Sequence, residues 1–386
     1  MDPIYLDYNA TSPIHPEVVR AITDCFEQDY ANPASPHTAG QRARRVLDDA
    51  REMIGQLLGA RIHAHPPDRV VFTSGGTEAN NLAIRGLVRQ PPGTILISAI
   101  EHPSVLEAAN SLRPLGYRIA FVPVDRHGVI DLPTFRLLLE QEKYVQLVSV
   151  MLGNNETGVI QPVAELARLA HQAGALFHTD AVQAAGKIHV SFADLNVDAM
   201  TVSAHKFQGP VGIAALILRQ KTACAPILFG GGQQLAMRPG TESVPLAVGM
   251  RQALQIAVEH IDDASPRVRS LRNHLQHLLV QGDPTAVVHA ESVERLPHTL
   301  GIAFPGVDRQ ALLLALDMQR VACSTGSACA SGSSEPSPVL LAMGCEHAVV
   351  NSSLRFSLGP PTTIEEVDSA ASRILLSVNK LRPRKS

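Results

Sequence analysis

The sequence predicts an α/β fold: a large domain built on a seven-stranded, mostly parallel sheet, with a smaller α+β domain after it. Three observations carry the prediction. Seven short β-rich runs recur between residues 70 and 218, and helical patterns fill most of the gaps between them. Strands separated by helices require crossover connections, which produce a parallel sheet covered on both faces. At 386 residues the chain also exceeds the size at which a single core usually stops growing, so two domains are expected.

In chain order, IYLDYNATSP is short and polar-ended and reads as an arm rather than a core strand. From Pro16 to about Tyr30, Val18, Val19, Ile22 and Phe26 fall on one helical face. Two prolines break residues 32–37 into a loop, and a second helix runs from about Thr38 to Leu58, ended by Gly59. The strands follow at 70–73, 95–99, 119–124, 146–151, 175–178, 199–203 and 213–218, with helices at 78–89, 104–112, 132–140 and 163–172. No helix separates the last two strands, so one strand should be antiparallel. After Gly230-Gly231-Gly232, a helical segment over 243–261 leaves the large domain, and Asp262-Asp263-Ala264-Ser265-Pro266 restarts a helix through Leu279. Shorter strands (286–289, 299–304, 354–358) and helices (309–318, 338–343, 364–381) make an α+β pattern. The expected domains are therefore 16–257, and 1–15 together with 258–386.

Composition narrows the function class. A hydrophobic fraction of 45%, a charged fraction of 18% and a net charge of −3 describe an ordinary globular protein. The 33 basic residues form no block, so nucleic acid is not expected as a partner. No apolar run approaches membrane-spanning length, and Met1-Asp2-Pro3-Ile4 lacks the regions of a signal peptide. The five cysteines (Cys25, Cys224, Cys323, Cys329, Cys345) are irregularly spaced, which argues against a disulfide framework and for a reducing cytoplasm. They also lack zinc-site spacing, so no resident metal is expected.

Candidate chemistry collects at strand ends. Lys206, in SAHKFQGP, ends an apolar run, and a lysine is costly to bury unless paired or chemically used; alone it could equally be a surface residue past a strand. In TSGGTE, Gly76 and Thr77 open a helix, either as a plain turn capped by Thr77 or as a cup for an anion. Asp180, in HTDAVQ, could hold a proton on a heteroaromatic nitrogen, with Gln183 offering a donor and an acceptor nearby. Together, a lysine able to form a Schiff base, an aspartate and an anion cup meet the three needs of pyridoxal phosphate. His102 in EHPSV could stack on its ring or move protons. Asn155 in NNETG sits in a turn and could bond cofactor or substrate, and Arg355 in SLRFS needs a partner that a substrate carboxylate would suit. Cys329 lies in CSTGSACASGSS, a run of small polar residues that reads as an exposed loop, where a thiol is accessible; Cys323 reads as a small buried apolar residue.

The blocks YLDYNATSP, NPASPH, FTSGGTEANN, EHPSV, NNETG, HTDAVQ, SAHKFQGPVG, GGGQ with RPGTES, STGSACASGS and LRFSLG, in that order, resemble the cysteine desulfurases of the NifS/IscS type. The resemblance covers nearly the whole chain and implies a fold type I pyridoxal-phosphate enzyme. It implies that Lys206 bonds the cofactor aldehyde, Asp180 partners the ring nitrogen, Gln183 bonds the ring hydroxyl and His102 stacks and shuttles protons. Gly76, Thr77, Ser203 and His205 would hold the phosphate, Thr241 would reach the phosphate of a neighbouring subunit in a homodimer, and Asn155 and Arg355 would hold the substrate carboxylate.

Cys329 matches the catalytic cysteine. Its surroundings are similar to the long-loop branch of the family, not the branch with an Arg-x-Gly-His-x-Cys signature. The implied reaction takes sulfur from L-cysteine, releases L-alanine and leaves a persulfide on Cys329 for a sulfur acceptor such as an iron–sulfur scaffold protein. At most, Cys329 would act as a transient iron–sulfur ligand. The short stretch beyond Leu381-Arg382-Pro383 argues against the tail-docked scaffold of housekeeping members. Two alternatives stand beside this reading: a selenocysteine or cysteine/cystine lyase, and a non-catalytic desulfurase-like partner protein.

Overall fold

The computed structural model describes residues 2–28, 31–326 and 335–382. Among them, β1 (Ile4–Tyr5) precedes the large sheet. Its strands are β2 (Arg69–Thr73), β3 (Thr94–Ser98), β4 (Arg118–Val122), β5 (Val145–Ser149), β6 (Leu176–Asp180), β7 (Ala199–Ser203) and β8 (Ala214–Leu218), in the spatial order β2-β8-β7-β6-β5-β3-β4. Neighbours from β7 across to β4 run parallel. The expected antiparallel strand is β8, which opposes both β7 and β2. Two reversals bring β2 back parallel to β7, so the carboxyl ends of β2, β3, β5, β6 and β7 share one sheet edge. Ligands of open α/β sheets bind at that edge.

Both sheet faces are covered, as near-continuous runs of buried Val, Ile and Leu require. Val70, Phe72, Leu96, Val148, Phe177 and Met200 face one core, while Val71, Ile95, Ile97, Leu147 and Leu216 pack beneath the helices Gly76–Gly86 and Pro103–Asn110. Each fully buried large apolar side chain contributes roughly 1.5–3 kcal/mol.

Beyond the helix Val244–Glu259, β9 (Val287–Val288), β10 (Thr299–Ala303), β11 (Val321–Ala322) and β12 (Ser353–Ser357) follow. The order β12-β10-β9 makes an antiparallel sheet, and β11 pairs parallel with β1. A separate core gathers Ile4, Leu6, Leu271, Leu275, Leu300, Phe356 and Ile374.

Two local expectations need correction. The N-terminal stretch is not merely an arm, because β1 pairs with β11 and buries Ile4 and Leu6, two apolar residues that alternate around an outward Tyr5. Thr77 is not a cap: Gly75 occupies the N-cap of Gly76–Gly86 and Thr77 lies in its first turn. The helix expected to restart over Asp262-Asp263-Ala264-Ser265-Pro266 is Ile261–Gly282, with Pro266 inside it. A proline in the second turn removes one N–H, and the helix has already begun before the ring intrudes.

Candidate active site

The acid end of the site is built by β6. Asp180, its last residue, is buried; its Oδ1 accepts the Val182 N–H at 2.9 Å and its Oδ2 accepts Asn80 Nδ2 at 2.7 Å. The adjacent β7 ends at Ser203, and a 3-10 turn, Ala204–Lys206, carries the lysine back over the sheet edge. Lys206 Nζ donates to the carbonyls of Asn9, at 2.5 Å, and Ala10, at 2.8 Å. The N-terminal stretch therefore lies across the site, and it is pinned there a second time because Ser12 Oγ donates to Lys206 O at 2.9 Å. Gln183 Nε2 donates to the same Asn9 carbonyl at 3.0 Å.

A cup forms where β2 meets its helix. A Cβ on Gly76 would fall 3.3 Å from Val182 Cγ2 and 3.6 Å from Ser203 Cβ, so the missing side chain keeps open the space above the helix N-terminus. That terminus carries unpaired N–H groups and the positive end of the dipole. His205 Nδ1 lies 3.2 Å from Thr11 Oγ1; burial and then the Lys206 charge push its pKa down to about 4.

One cavity of about 260 Å³ brings these groups together. Gly76, Thr77, Ser203 and His205 line one part of it, and His102, Asn155, Asp180, Gln183 and Lys206 line the rest. Arg355 and Thr241 are not on its wall. The Arg355 side chain is only 3% exposed and already paired, with Nη2 donating to Asp7 Oδ1 at 2.8 Å and Nη1 to the carbonyls of Asn155 and Gly326 at 3.0 and 3.2 Å; its Nε has no partner among the described residues. Thr241 is exposed, on a segment held by Arg238, whose Nε donates to Glu78 Oε1 at 2.8 Å. Cys329 lies outside the described residues. Both flanks of its segment are tied down, by Arg355 at Gly326 and by Ser337 Oγ donating to Glu156 Oε2 at 2.6 Å. Cys323 is half-buried, and burial raises its thiol pKa, which removes it as a competing thiolate.

Sequence reasoning missed Asn9, Asn80, Ser104 and Glu101. Asn9 Nδ2 bridges Asn155 O and Thr299 Oγ1, both at 3.0 Å. Glu101 is buried with its Oε1 taking the Met151 N–H at 2.7 Å, and burial drives its pKa up to about 8. The one available signal was that three of these polar residues lie within a few positions of the candidate groups: Asn80 beside the TSGGTE cup and Glu101 and Ser104 beside His102.

Buried histidines make the fold acid-sensitive. Burial lowers His178 to about 3 and His289 to about 4, and His298 falls well below its usual range, so with His205 four rings stay neutral in the folded chain. Between about pH 7 and about pH 5 the unfolded chain binds protons at these histidines and the folded chain does not, so stability falls as pH falls. Glu101 and Glu156, whose pKa values burial raises, oppose this with two groups against four. Thermal melts without added pyridoxal phosphate should show the midpoint dropping across that window; a flat or rising profile would contradict the histidine assignment.

Residues 4–369 match the family described as aminotransferase class-V. A cysteine desulfurase IscS from Dictyoglomus turgidum is 37% identical over 98% of this chain and 95% of its own length. An IscS-like cysteine desulfurase from Mycobacterium tuberculosis is 39% identical over 95% of this chain and 94% of its own. Among solved structures, a NifS-like protein from Rickettsia africae superimposes with a TM-score of 0.89 at 32% identity, covering 98% of this chain and all of that one. The chain belongs to the cysteine desulfurases of the class-V aminotransferase family.

Enzymes of this family work with pyridoxal phosphate, and the desulfurase's cavity fits that group. Gln183 Oε1 and Ser203 Oγ are buried with no hydrogen-bond partner among the described residues, an acceptor and a hydroxyl left ready for a ligand. The Gly76 cradle suits a phosphate, and the Asp180 carboxylate suits a protonated ring nitrogen. A larger cavity, about 570 Å³ between the helix Thr38–Leu57 and residues 232–237, contains none of these groups.

Proposed function

We propose that this chain takes sulfur from L-cysteine with the help of pyridoxal phosphate, giving L-alanine and a persulfide on Cys329. The observation that carries the proposal is the placement of Lys206 and Asp180 at the ends of neighbouring strands, on one cavity wall with the Gly76 cup. Asp180 would hold the ring-nitrogen proton, Gln183 Oε1 would take the ring hydroxyl, and Gly76, Thr77, Ser203 and His205 would hold the phosphate. His205, neutral at working pH, serves there as a hydrogen-bond partner and not as a cation. When bound, pyridoxal phosphate supplies an electrophilic carbon for an amine and a sink for the electron pair left at Cα.

The chain's own residues do the rest. Lys206 Nζ, held by the two N-terminal carbonyls, is the base that moves the α-proton. Asn155, on the cavity wall, would face the substrate carboxylate, and Arg355, off the wall and paired with Asp7, would have to leave that pair to join it. The Cys329 thiolate takes the substrate sulfur as its bond to carbon breaks, and the persulfide passes to an acceptor such as an iron–sulfur scaffold protein.

A homodimer completes the site. Val211, Leu235 and Phe229 are 75%, 73% and 88% exposed, apolar side chains that a second copy would cover. A second copy covering them would bring Thr241 to the neighbouring phosphate. None of the helices among the described residues is long and apolar enough to cross a membrane, and cytoplasmic cysteine pools suit the proposed substrate.

The test is direct. Purified with pyridoxal phosphate, the chain should be yellow, sediment as a dimer, and release alanine and sulfide in equal amounts from L-cysteine under a thiol reductant. A protein that stays colourless and releases no alanine would return the chain to the non-catalytic reading. Sedimentation as a monomer would remove Thr241 from the site.

A further inference from the structure

We propose that Asn80 and Ser104 are positioning residues in a hydrogen-bond chain, Asn80 donating to both Asp180 and Ser104 and Ser104 donating to His102, that fixes which nitrogen of His102 carries its proton. The inference rests on the reading of His102 as a residue that faces the reacting groups. It begins at Asp180, a carboxylate with acceptors only. Its Oδ2 lies 2.7 Å from Asn80 Nδ2, which requires the Asn80 amide to turn its NH₂ toward Asp180; the opposite orientation would set two oxygens against each other. The second hydrogen of that NH₂ points at Ser104 Oγ, 2.9 Å away. Ser104 Oγ therefore accepts, and its own hydrogen goes to the neighbour on the other side, His102 Nδ1, at 2.8 Å.

The backbone agrees. His102 is the N-cap of the helix Pro103–Asn110, and its Nδ1 also accepts the Ser104 N–H, at 3.1 Å. A backbone N–H cannot reverse its direction. With two donors aimed at it, Nδ1 is bare in the neutral ring and Nε2 holds the proton. Asn80 is 1% exposed and Ser104 8%, so water does not compete for these bonds.

The consequence is a division of labour. Neutral His102 can give a proton from Nε2 but cannot take one there, which leaves removal of the α-proton to Lys206 and makes His102 the donor. The same chain ties the orientation of the His102 ring to Asp180, so the two groups flanking the cofactor ring are set together.

The test reads the proton itself. In the full chain with bound pyridoxal phosphate and ¹⁵N-labelled histidine, long-range ¹H–¹⁵N correlation identifies the protonated nitrogen, with His102→Gln assigning the signal. The wild type should show bare Nδ1 and protonated Nε2. Ser104→Ala leaves only the longer backbone donor on Nδ1, so a fraction of the other tautomer should appear beside the Nε2-protonated one, and kcat should fall about tenfold with KM within about twofold, short of the ~10²–10⁴ of a lost general acid. Ser104→Thr, which keeps the hydroxyl, should restore both. A protonated Nδ1 in the wild type, or an unchanged His102 spectrum in Ser104→Ala, overturns the proposal. The spectrum needs no turnover, so a chain inactive on L-cysteine that still shows the Nε2 proton, with the other tautomer appearing in Ser104→Ala, would refute the desulfurase reading and support the hydrogen-bond chain.

Discussion

Cys329→Ser is expected to abolish sulfide release from L-cysteine, by roughly 10³-fold or more, because removing a catalytic nucleophile costs at least that much. The reason is specific to sulfur. A persulfide is a bond between two sulfur atoms, and a serine hydroxyl at position 329 can neither attack the substrate sulfur at neutral pH nor store it. The variant should keep the cofactor's colour, since Lys206, Asp180, Gln183 and the Gly76 cup line the cavity at the edge of the large sheet and none of the residues proposed to hold that group is Cys329. Parallel assays with L-cysteine and L-selenocysteine separate the readings. Loss with cysteine supports the persulfide route; full activity of the variant on both substrates would mean that nothing is stored on the protein, which is the lyase reading.

Lys206→Ala should be as severe and should fail earlier. The side chain has two tasks, bonding the cofactor aldehyde and moving the α-proton, so its loss should remove the visible band of the lysine-linked cofactor and lower turnover by roughly 10³-fold or more. An unchanged band would reject the assignment of Lys206. The variant also deletes the donor that bridges the Asn9 and Ala10 carbonyls. The N-terminal stretch remains attached through β1 and through Ser12, so the loss should register in chemistry before it registers in folding.

The fold was legible because burial on both sheet faces writes itself into each strand as a continuous apolar run, and the helix between two such runs can only be a crossover. The antiparallel β8 was legible for the complementary reason: with no helix before it, it had no crossover to use. Errors fell where the local signal was weak. β1 has only two residues and finds its partner β11 more than three hundred residues away, so no local period announces it. At Gly75-Gly76, two glycines ahead of Thr77 left the position of the cap undecided, and the chain resolved it by starting the helix one residue before the threonine.

For the site, the residue types were readable and most of their meetings were not. Lys206, Asp180, Gly76 and His102 declare their chemistry through their neighbours in sequence: a strand before, a turn after, an unusual polar side chain between. The sequence by itself thus determined the sheet, the edge on which chemistry can occur, and a set of groups matched to one cofactor. Only the tertiary structure decided that Asn80 joins Asp180 across a hundred residues, that Lys206 is held by carbonyls of the N-terminal stretch, and that Arg355 is already engaged by Asp7. Those contacts depend on strand order and on how two sheets sit against each other. Local sequence constrains backbone period and turn type, whereas a hydrogen bond between distant residues exists only once the packing of everything between them has placed donor and acceptor within about 3 Å.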